Sequence, residues 1–269
     1  MRRVTALLLA MTGCVAEAPP SSAVPATLPP PTTPPWRPVA GTTWQIQLDG
    51  TPDLKPEAAV YDVDLFEAPD ETFERLRGLG RRVVCYFNAG AFEPWRPDAT
   101  AFPSAALGRP LAQWRDERWL DIRSDGVRRV LEGRLDLAAS RGCDGVDPDN
   151  VDGFSNATGF PLDAADQLDF NRFLAGEARA RGLAVGLKNN TRQMPWLVAD
   201  YDFAVVEECF RFRECDRLRP FIEAGKAVFE IEYGGRETAD RVCPDALRLG
   251  LSALVMPLGL DGSFRISCR

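Results

Sequence analysis

One pattern limits the fold more than any other: from Trp44 onward, short runs rich in Val, Ile, Phe and Tyr alternate with amphipathic stretches that end in glycine. Strands separated by whole helices cannot pair as hairpins. They pair in parallel, with each helix crossing over one face of the sheet. Eight such runs stand out: Trp44–Leu48, Ala59–Asp64, Arg82–Asn88, Gly145–Asp149, Ala184–Asn189, Phe203–Glu207, Ala227–Tyr233 and Ala253–Leu258. Eight parallel strands predict an α/β fold, a single (β/α)8 barrel of the TIM type over residues 42–269.

The intervening stretches carry the helical period. Val127, Val130, Leu131, Leu135 and Ala138 share one face between Asp125 and Arg141, and Leu168, Phe173, Leu174 and Ala178 share another in the segment ending at Gly182. Leu79-Gly80, Arg141-Gly142, Arg181-Gly182 and Ala224-Gly225 read as helix ends, because glycine tolerates the left-handed turn that stops a helix.

The N-terminus belongs to another class of segment. Arg2 and Arg3 precede the apolar run Val4–Met11 and then Met11-Thr12-Gly13-Cys14, the pattern of a bacterial export signal of lipoprotein type over residues 1–13. Cys14 is the expected lipidation site, which makes a lipid anchor the only expected membrane contact. Residues 14–41 are rich in Pro, Ala, Ser and Thr and are expected to form an extended linker. The location implied is secreted or on the outer surface of a bacterial envelope, with the chain acting as a monomer.

Six cysteines remain after Cys14, an even number suited to disulfides in an exported chain. Cys209 and Cys215 are near enough to staple one loop, and Cys243 with Cys268 can tie down the C-terminal segment. Cys85 and Cys143 are then either a third pair or buried thiols.

Composition excludes several chemistries. The chain contains no histidine. A Ser-His-Asp triad and any His-ligated metal are therefore ruled out. A net charge of -7 and a pI near 4.9 speak against nucleic acid as a partner. No metal or organic cofactor is implied. Asp147-Pro148-Asp149-Asn150-Val151-Asp152-Gly153 has the look of a calcium loop, but Val151 stands at a ligand position and no glutamate closes it. Asp144 and Asp152 flank glycines and suit turns.

Active sites in such barrels collect at the C-terminal ends of the strands. Those ends here read Asp62-Val63-Asp64, Tyr86-Phe87-Asn88, Asp147-Pro148-Asp149-Asn150, Lys188-Asn189-Asn190 and Glu207-Glu208, with Glu230 and Glu232 on the seventh strand. Opposed carboxylates raise one another's pKa, which sets an acid beside a base. That pairing is what cleavage of a glycosidic bond requires. Trp95, Trp114 and Trp119 are candidate sugar platforms or packing residues.

These stretches resemble one family, the endo-α-1,4-polygalactosaminidases, glycoside hydrolase family 114. The likeness is carried by Trp44-Gln45-Ile46-Gln47, Tyr61-Asp62-Val63-Asp64-Leu65-Phe66, Val84-Cys85-Tyr86-Phe87-Asn88-Ala89-Gly90, the run Gly142 to Gly153, Gly186-Leu187-Lys188-Asn189 and Glu207-Glu208-Cys209-Phe210. The resemblance implies a TIM barrel that cuts α-1,4-linked galactosamine and N-acetylgalactosamine exopolysaccharide from within. It implies Asp149 and Glu207 as the catalytic pair, assigned as nucleophile and acid/base. Asp62, Asp64, Tyr86, Asn88, Asp147, Lys188 and Glu232 are expected to contact substrate, with Lys188 orienting a carboxylate. The family usually has Glu-Pro-Asp-Asn where this chain has Asp147-Pro148-Asp149-Asn150. A barrel that holds polysaccharide without cutting it, a surface lectin, is the alternative.

Overall fold

The computed structural model describes residues 35–268. The export signal, Cys14 and most of the linker lie outside the described residues.

Each of the eight expected strands is present. In chain order they are β1 (Trp44–Gln47), β2 (Val60–Asp64), β3 (Arg82–Asn88), β4 (Gly145–Asp149), β5 (Ala184–Lys188), β6 (Phe203–Glu207), β7 (Val228–Tyr233) and β8 (Ser252–Met256). They pair in sequence order and in parallel, and a short antiparallel strand, Ile266–Ser267, joins the outer side of β8. The result is a mixed α/β fold built on a curled, nine-stranded, mainly parallel sheet.

The sheet curls until its edges meet, yet no β-ladder joins β8 to β1. The Trp44 indole of β1 instead donates to the Ser252 carbonyl of β8 at 2.7 Å, and Leu48 N–H donates to Leu260 O at 3.0 Å. Arg265, beside the antiparallel strand, donates to the Trp44 carbonyl at 2.7 Å. The regular eightfold ladder expected from the strand count is thus interrupted at this seam.

The helices also depart from eightfold regularity. They are α1 (Asp70–Gly78), α2 (Asp125–Arg141), α3 (Ala164–Ala180), α4 (Met194–Leu197), α5 (Arg219–Glu223) and α6 (Arg236–Leu249). No helix separates β1 from β2, and α4 and α5 are single turns. Helix α2 has the expected bounds and buries Val127, Leu131, Leu135 and Ala138, with Val130 half-buried. In α3 the inward face is Phe170, Leu174, Ala175 and Ala178, while Leu168 and Phe173 sit at its edge. Asp163 caps α3 by accepting from the N–H groups of Ala165 and Asp166. Gly80, Gly142, Gly182 and Gly225 all take positive φ, between 67° and 75°, as helix-ending residues do.

Alternation along the strands sorts the core into two layers. Tyr61, Val63, Cys85, Phe87, Val146, Val185, Leu187 and Val206 point outward against the helices. Trp44, Ile46, Val60, Val84, Phe203, Val205, Phe229, Ile231, Leu254 and Met256 point inward and fill the lower barrel, where Trp44 stacks on Phe229 with centroids 4.8 Å apart. An apolar plug at one end leaves only the other end to hold polar chemistry.

Residues 36–41, grouped by composition with the linker, belong to the folded body. Trp36 packs on Phe203, Arg37 pairs with Asp202 at 2.9 Å, and Val39 bridges to Lys226, all at the N-terminal ends of the strands. The Trp36 ring, the buried Pro38 and backbone bonds from Ala40 N–H to Gly225 O and from Ala227 N–H to Pro38 O anchor the segment.

All six cysteines among the described residues are paired, as 85–143, 209–215 and 243–268. The 85–143 bond spans 58 residues and ties β3 to the turn before β4, with both sulfurs buried. Replacing that pair together, C85A/C143A, is expected to lower unfolding free energy by about 2–5 kcal/mol, read as a reduced denaturant midpoint with β6, α5 and the 209–215 bond unaffected.

Candidate active site

At the C-terminal ends of the strands lies a cleft of about 920 Å³. Its floor is made by inward-facing residues near the strand ends, and one cation organises them. Lys188, at the end of β5, is buried to 1% exposure with its ammonium 3.0 Å from Asp147 Oδ2 and 3.8 Å from Asp149 Oδ1. It also lies 5.1 Å from the centre of the Tyr86 ring. Burial disfavours its charge, but Asp147, Asp149, Glu207 and Asp62 outweigh that and push its pKa well above the usual lysine value.

Two carboxylates on either side of Lys188 open into the cleft. Asp149, ending β4, accepts the Tyr86 hydroxyl at 2.9 Å and the Asn150 N–H at 2.7 Å. Glu207, ending β6, accepts the Asn189 amide at 2.8 Å and the Tyr233 hydroxyl. Asn189 Oδ1 in turn accepts the Glu207 N–H at 2.9 Å, which locks the strand end to its neighbour. Each carboxylate therefore has both oxygens held in one orientation. Burial and the adjacent carboxylates push Tyr86 and Tyr233 well above the ordinary tyrosine range, so both stay as hydroxyl donors.

The backbone turns sharply at this rim. Asn150, Asn189 and Glu208, each following a strand end, take left-handed conformations with φ of 59°, 52° and 57°. Such conformations cost free energy in non-glycine residues and concentrate at functional sites. Here each lets the chain leave the barrel immediately after a site residue. Gly90 permits the tightest of these approaches: its N–H donates to Asp149 O at 3.0 Å, and a Cβ there would sit 1.7 Å from Asn150 O.

Of the residues expected from the strand ends, Asp64, Tyr86, Asp149, Lys188 and Glu207 border the cleft. Asp64 is engaged: Arg96 grips it with two hydrogen bonds of 2.9 and 2.7 Å and binds Glu93 in the same way. Asp62, Asn88 and Asp147 lie under the floor, buried to 1% or less. Asn88 holds Glu117 at 2.9 Å and accepts the Ala91 N–H and the Asn150 amide, so it braces the rim.

Glu232 is on the other face of the sheet. The inward residues of β7 are Phe229, Ile231 and Tyr233, which turns Glu230 and Glu232 outward toward the 209–215 loop. Glu232 accepts the Phe210 N–H there at 2.8 Å. The reason is parity: on a strand buried on both faces, alternation shows which residues share a face and leaves open which face is inside. Tyr233 occupies the inward position expected of Glu232. Cys209, Glu230 and Glu232 cluster closely enough to suggest a metal site among the described residues, but the Cys209 sulfur is committed to its disulfide.

The connection from β3 to α2 supplies a wall that strand reasoning missed. It forms a three-stranded antiparallel sheet of Ala91–Phe92, Leu107–Pro110 and Arg118–Leu120. Trp95, Trp114 and Glu117 of this region border the cleft, with both tryptophans half exposed. Glu117 is pushed up to about 7 by burial, then by the charges of Glu93 and Asp149. Asp152 is pushed up to about 6, also by burial first and Asp149 second. The tryptophans had been legible as platforms, whereas Glu117 gave no signal because its neighbours in space are distant in sequence.

Two expectations follow. A folded-state pKa above the unfolded value means that the folded chain binds more protons than the unfolded chain between about pH 4 and about pH 7. Stability should fall as pH rises through that window, and E117Q should flatten part of the slope in thermal midpoints measured across it. Gly90→Ala should keep the fold, seen by circular dichroism, while displacing Asn150 and lowering turnover by about 10²-fold.

Comparison with known proteins fits this geometry. Ega3 from Aspergillus fumigatus, solved in complex with galactosamine, is similar at 38% identity with a TM-score of 0.84, the match covering 88% of this chain and 99% of that one. The glycoside hydrolase domain of PelA from Pseudomonas aeruginosa matches at 17% identity and a TM-score of 0.64, over 84% and 98% of the two chains, and supports the fold. No curated protein matches in sequence. The family model for glycoside-hydrolase family GH114 matches residues 25–269, nearly all of the chain beyond the N-terminal segment. A carboxylate-lined cleft on a curled parallel sheet, with this match along its length, places the chain in glycoside-hydrolase family GH114, and it is a glycoside hydrolase.

Proposed function

We propose that this chain is an endo-acting hydrolase of α-1,4-linked galactosamine and N-acetylgalactosamine polysaccharide, built on a TIM-type barrel with one interrupted seam and working as a monomer. The observation that carries the reading is the pair Asp149 and Glu207: two oriented carboxylates that open into one cleft from strands on either side of Lys188.

Asp149 is the nucleophile and Glu207 the acid/base. Glu207 gives its proton to the glycosidic oxygen as the bond to the anomeric carbon breaks, and Asp149 adds to that carbon. Water then replaces Asp149, surrendering a proton to Glu207 and restoring both groups. The Lys188 ammonium and the Tyr86 hydroxyl keep Asp149 aligned throughout.

Sugar choice is supported by charge. Ten carboxylates against four cationic side chains line the cleft, a field that favours a polymer carrying free ammonium groups. The similarity to Ega3, which was solved with galactosamine, points the same way. Exposed Trp95, Trp114 and Phe212 on the cleft walls offer stacking faces for sugar units beyond the bond being cut, as an endo-acting enzyme needs. Three disulfides suit the oxidising compartment that an export signal implies.

The test is incubation with partially deacetylated α-1,4-galactosamine polymer, following oligosaccharides by mass spectrometry. Wild type should release oligomers, while D149N and E207Q each lose about 10²–10⁴-fold in rate and still bind polymer. Polymer left intact by wild type would remove this substrate assignment, and cleavage by D149N at the wild-type rate would remove Asp149 from the chemistry.

A further inference from the structure

Beneath the catalytic floor the barrel encloses more carboxyl oxygens than it supplies donors for. Both oxygens of Asp62 and Oδ1 of Asp147 are buried and receive no hydrogen bond from any N–H or O–H among the described residues. Asp62 on β2 and Asp147 on β4 both point inward, across β3, within hydrogen-bonding reach of one another. One ammonium, Lys188, is available to both, and its 3.0 Å contact is to the other oxygen of Asp147.

Two abutting carboxylates with one cation would leave a net negative charge in a dry interior, which is costly. One proton resolves this. Carried on Asp62 and donated to Asp147 Oδ1, it satisfies the orphaned oxygen and leaves Asp147 and Lys188 as a neutral ion pair. We propose that Asp62 and Asp147 hold one proton between them and that the Asp147–Lys188 ion pair this leaves fixes Lys188 at its distance from Asp149, making Asp62 a positioning residue for the nucleophile.

The groups that face the pair agree with this placement of the proton. Ile46 of β1, paired in register with Asp62, brings no charge. Tyr86 of β3 stays a neutral hydroxyl, Asp149 of β4 and Glu207 of β6 are on the cleft side, and Lys188 of β5 is the one cation. The inward residues of β7 and β8 at the lower levels, Phe229, Ile231, Leu254, Met256 and the hydroxyl-bearing Ser252, bring no charge. Burial raises both carboxyl groups and Lys188 lowers both, but the ammonium hydrogen-bonds Asp147 at 3.0 Å and leaves both oxygens of Asp62 without a partner. The proton therefore rests on Asp62. Loss of it at alkaline pH puts a second negative charge beside Lys188 and draws the ammonium away from Asp149.

The experiment begins with the resting protein and needs no substrate. With aspartate labelled at its side-chain carboxyl carbon, ¹³C NMR of wild type at neutral pH should show an aspartate carboxyl still protonated. D62N, whose amide reproduces the donor, should lack that resonance and remain folded by circular dichroism. An aspartate spectrum fully ionised at neutral pH in wild type overturns the proposal without recourse to any variant.

The positioning half rests on the proposed hydrolysis and is read in its kinetics. D62N should move the alkaline fall of kcat to higher pH, and D147N, which strips Lys188 of its anion, should lower kcat by about 10²-fold with little change in KM. An unshifted profile in D62N together with a wild-type kcat in D147N overturns the positioning role. Because the NMR readout is independent of substrate, a wild type that fails to cut the polymer sinks the substrate assignment alone.

Discussion

Lys188 is the interaction on which the upper half of this molecule depends. A buried ammonium requires compensating charge, and four carboxyl groups on β2, β4 and β6 surround it. Those carboxylates in turn need the cation, since ionised groups in an apolar barrel are strongly disfavoured when unpaired. The cluster is therefore mutually dependent. Its most exposed members, Asp149 and Glu207, are the ones that reach the cleft, while Asp147 is wholly enclosed.

A polar cluster of this kind sits above a lower barrel that is apolar and closely packed. Aromatic packing of Trp44, Phe203 and Phe229 fills the lower half, and Trp36 covers it from outside. At the seam between β1 and β8, side-chain and loop hydrogen bonds replace the missing ladder. The strands β4, β5 and β6, which carry Asp149, Lys188 and Glu207, lie away from that seam, within continuous parallel pairing. Left-handed residues directly after three strand ends place the conformational strain at the site itself.

Much of the architecture was legible from spacing. Eight apolar runs became eight strands, the stripe from Asp125 to Arg141 became a helix with those bounds, and the glycines before strands took the expected left-handed turn. Asp64 shows the limit of that reading. Its position at a strand end suggested a free substrate ligand, but Arg96, distant in sequence, folds back and occupies both of its oxygens. Residues 36–41 show another limit, because proline content outweighed Trp36 in a compositional reading although one ring contact, one ion pair and a few backbone bonds suffice to anchor a short segment.

By itself the sequence determined the strand order, the helix ends, the carboxylate chemistry at the strand termini and the likeness to one family, because periodicity and motif are local properties. Tertiary structure alone decided which face of β7 looks inward, which carboxyl groups border the cleft, and which share the single buried ammonium. A strand buried on both sides carries no hydrophobic contrast to mark its inner face, and a pKa depends on neighbours contributed by other strands. Those facts arise only when the sheet curls and brings β2, β4, β5 and β6 around one cation.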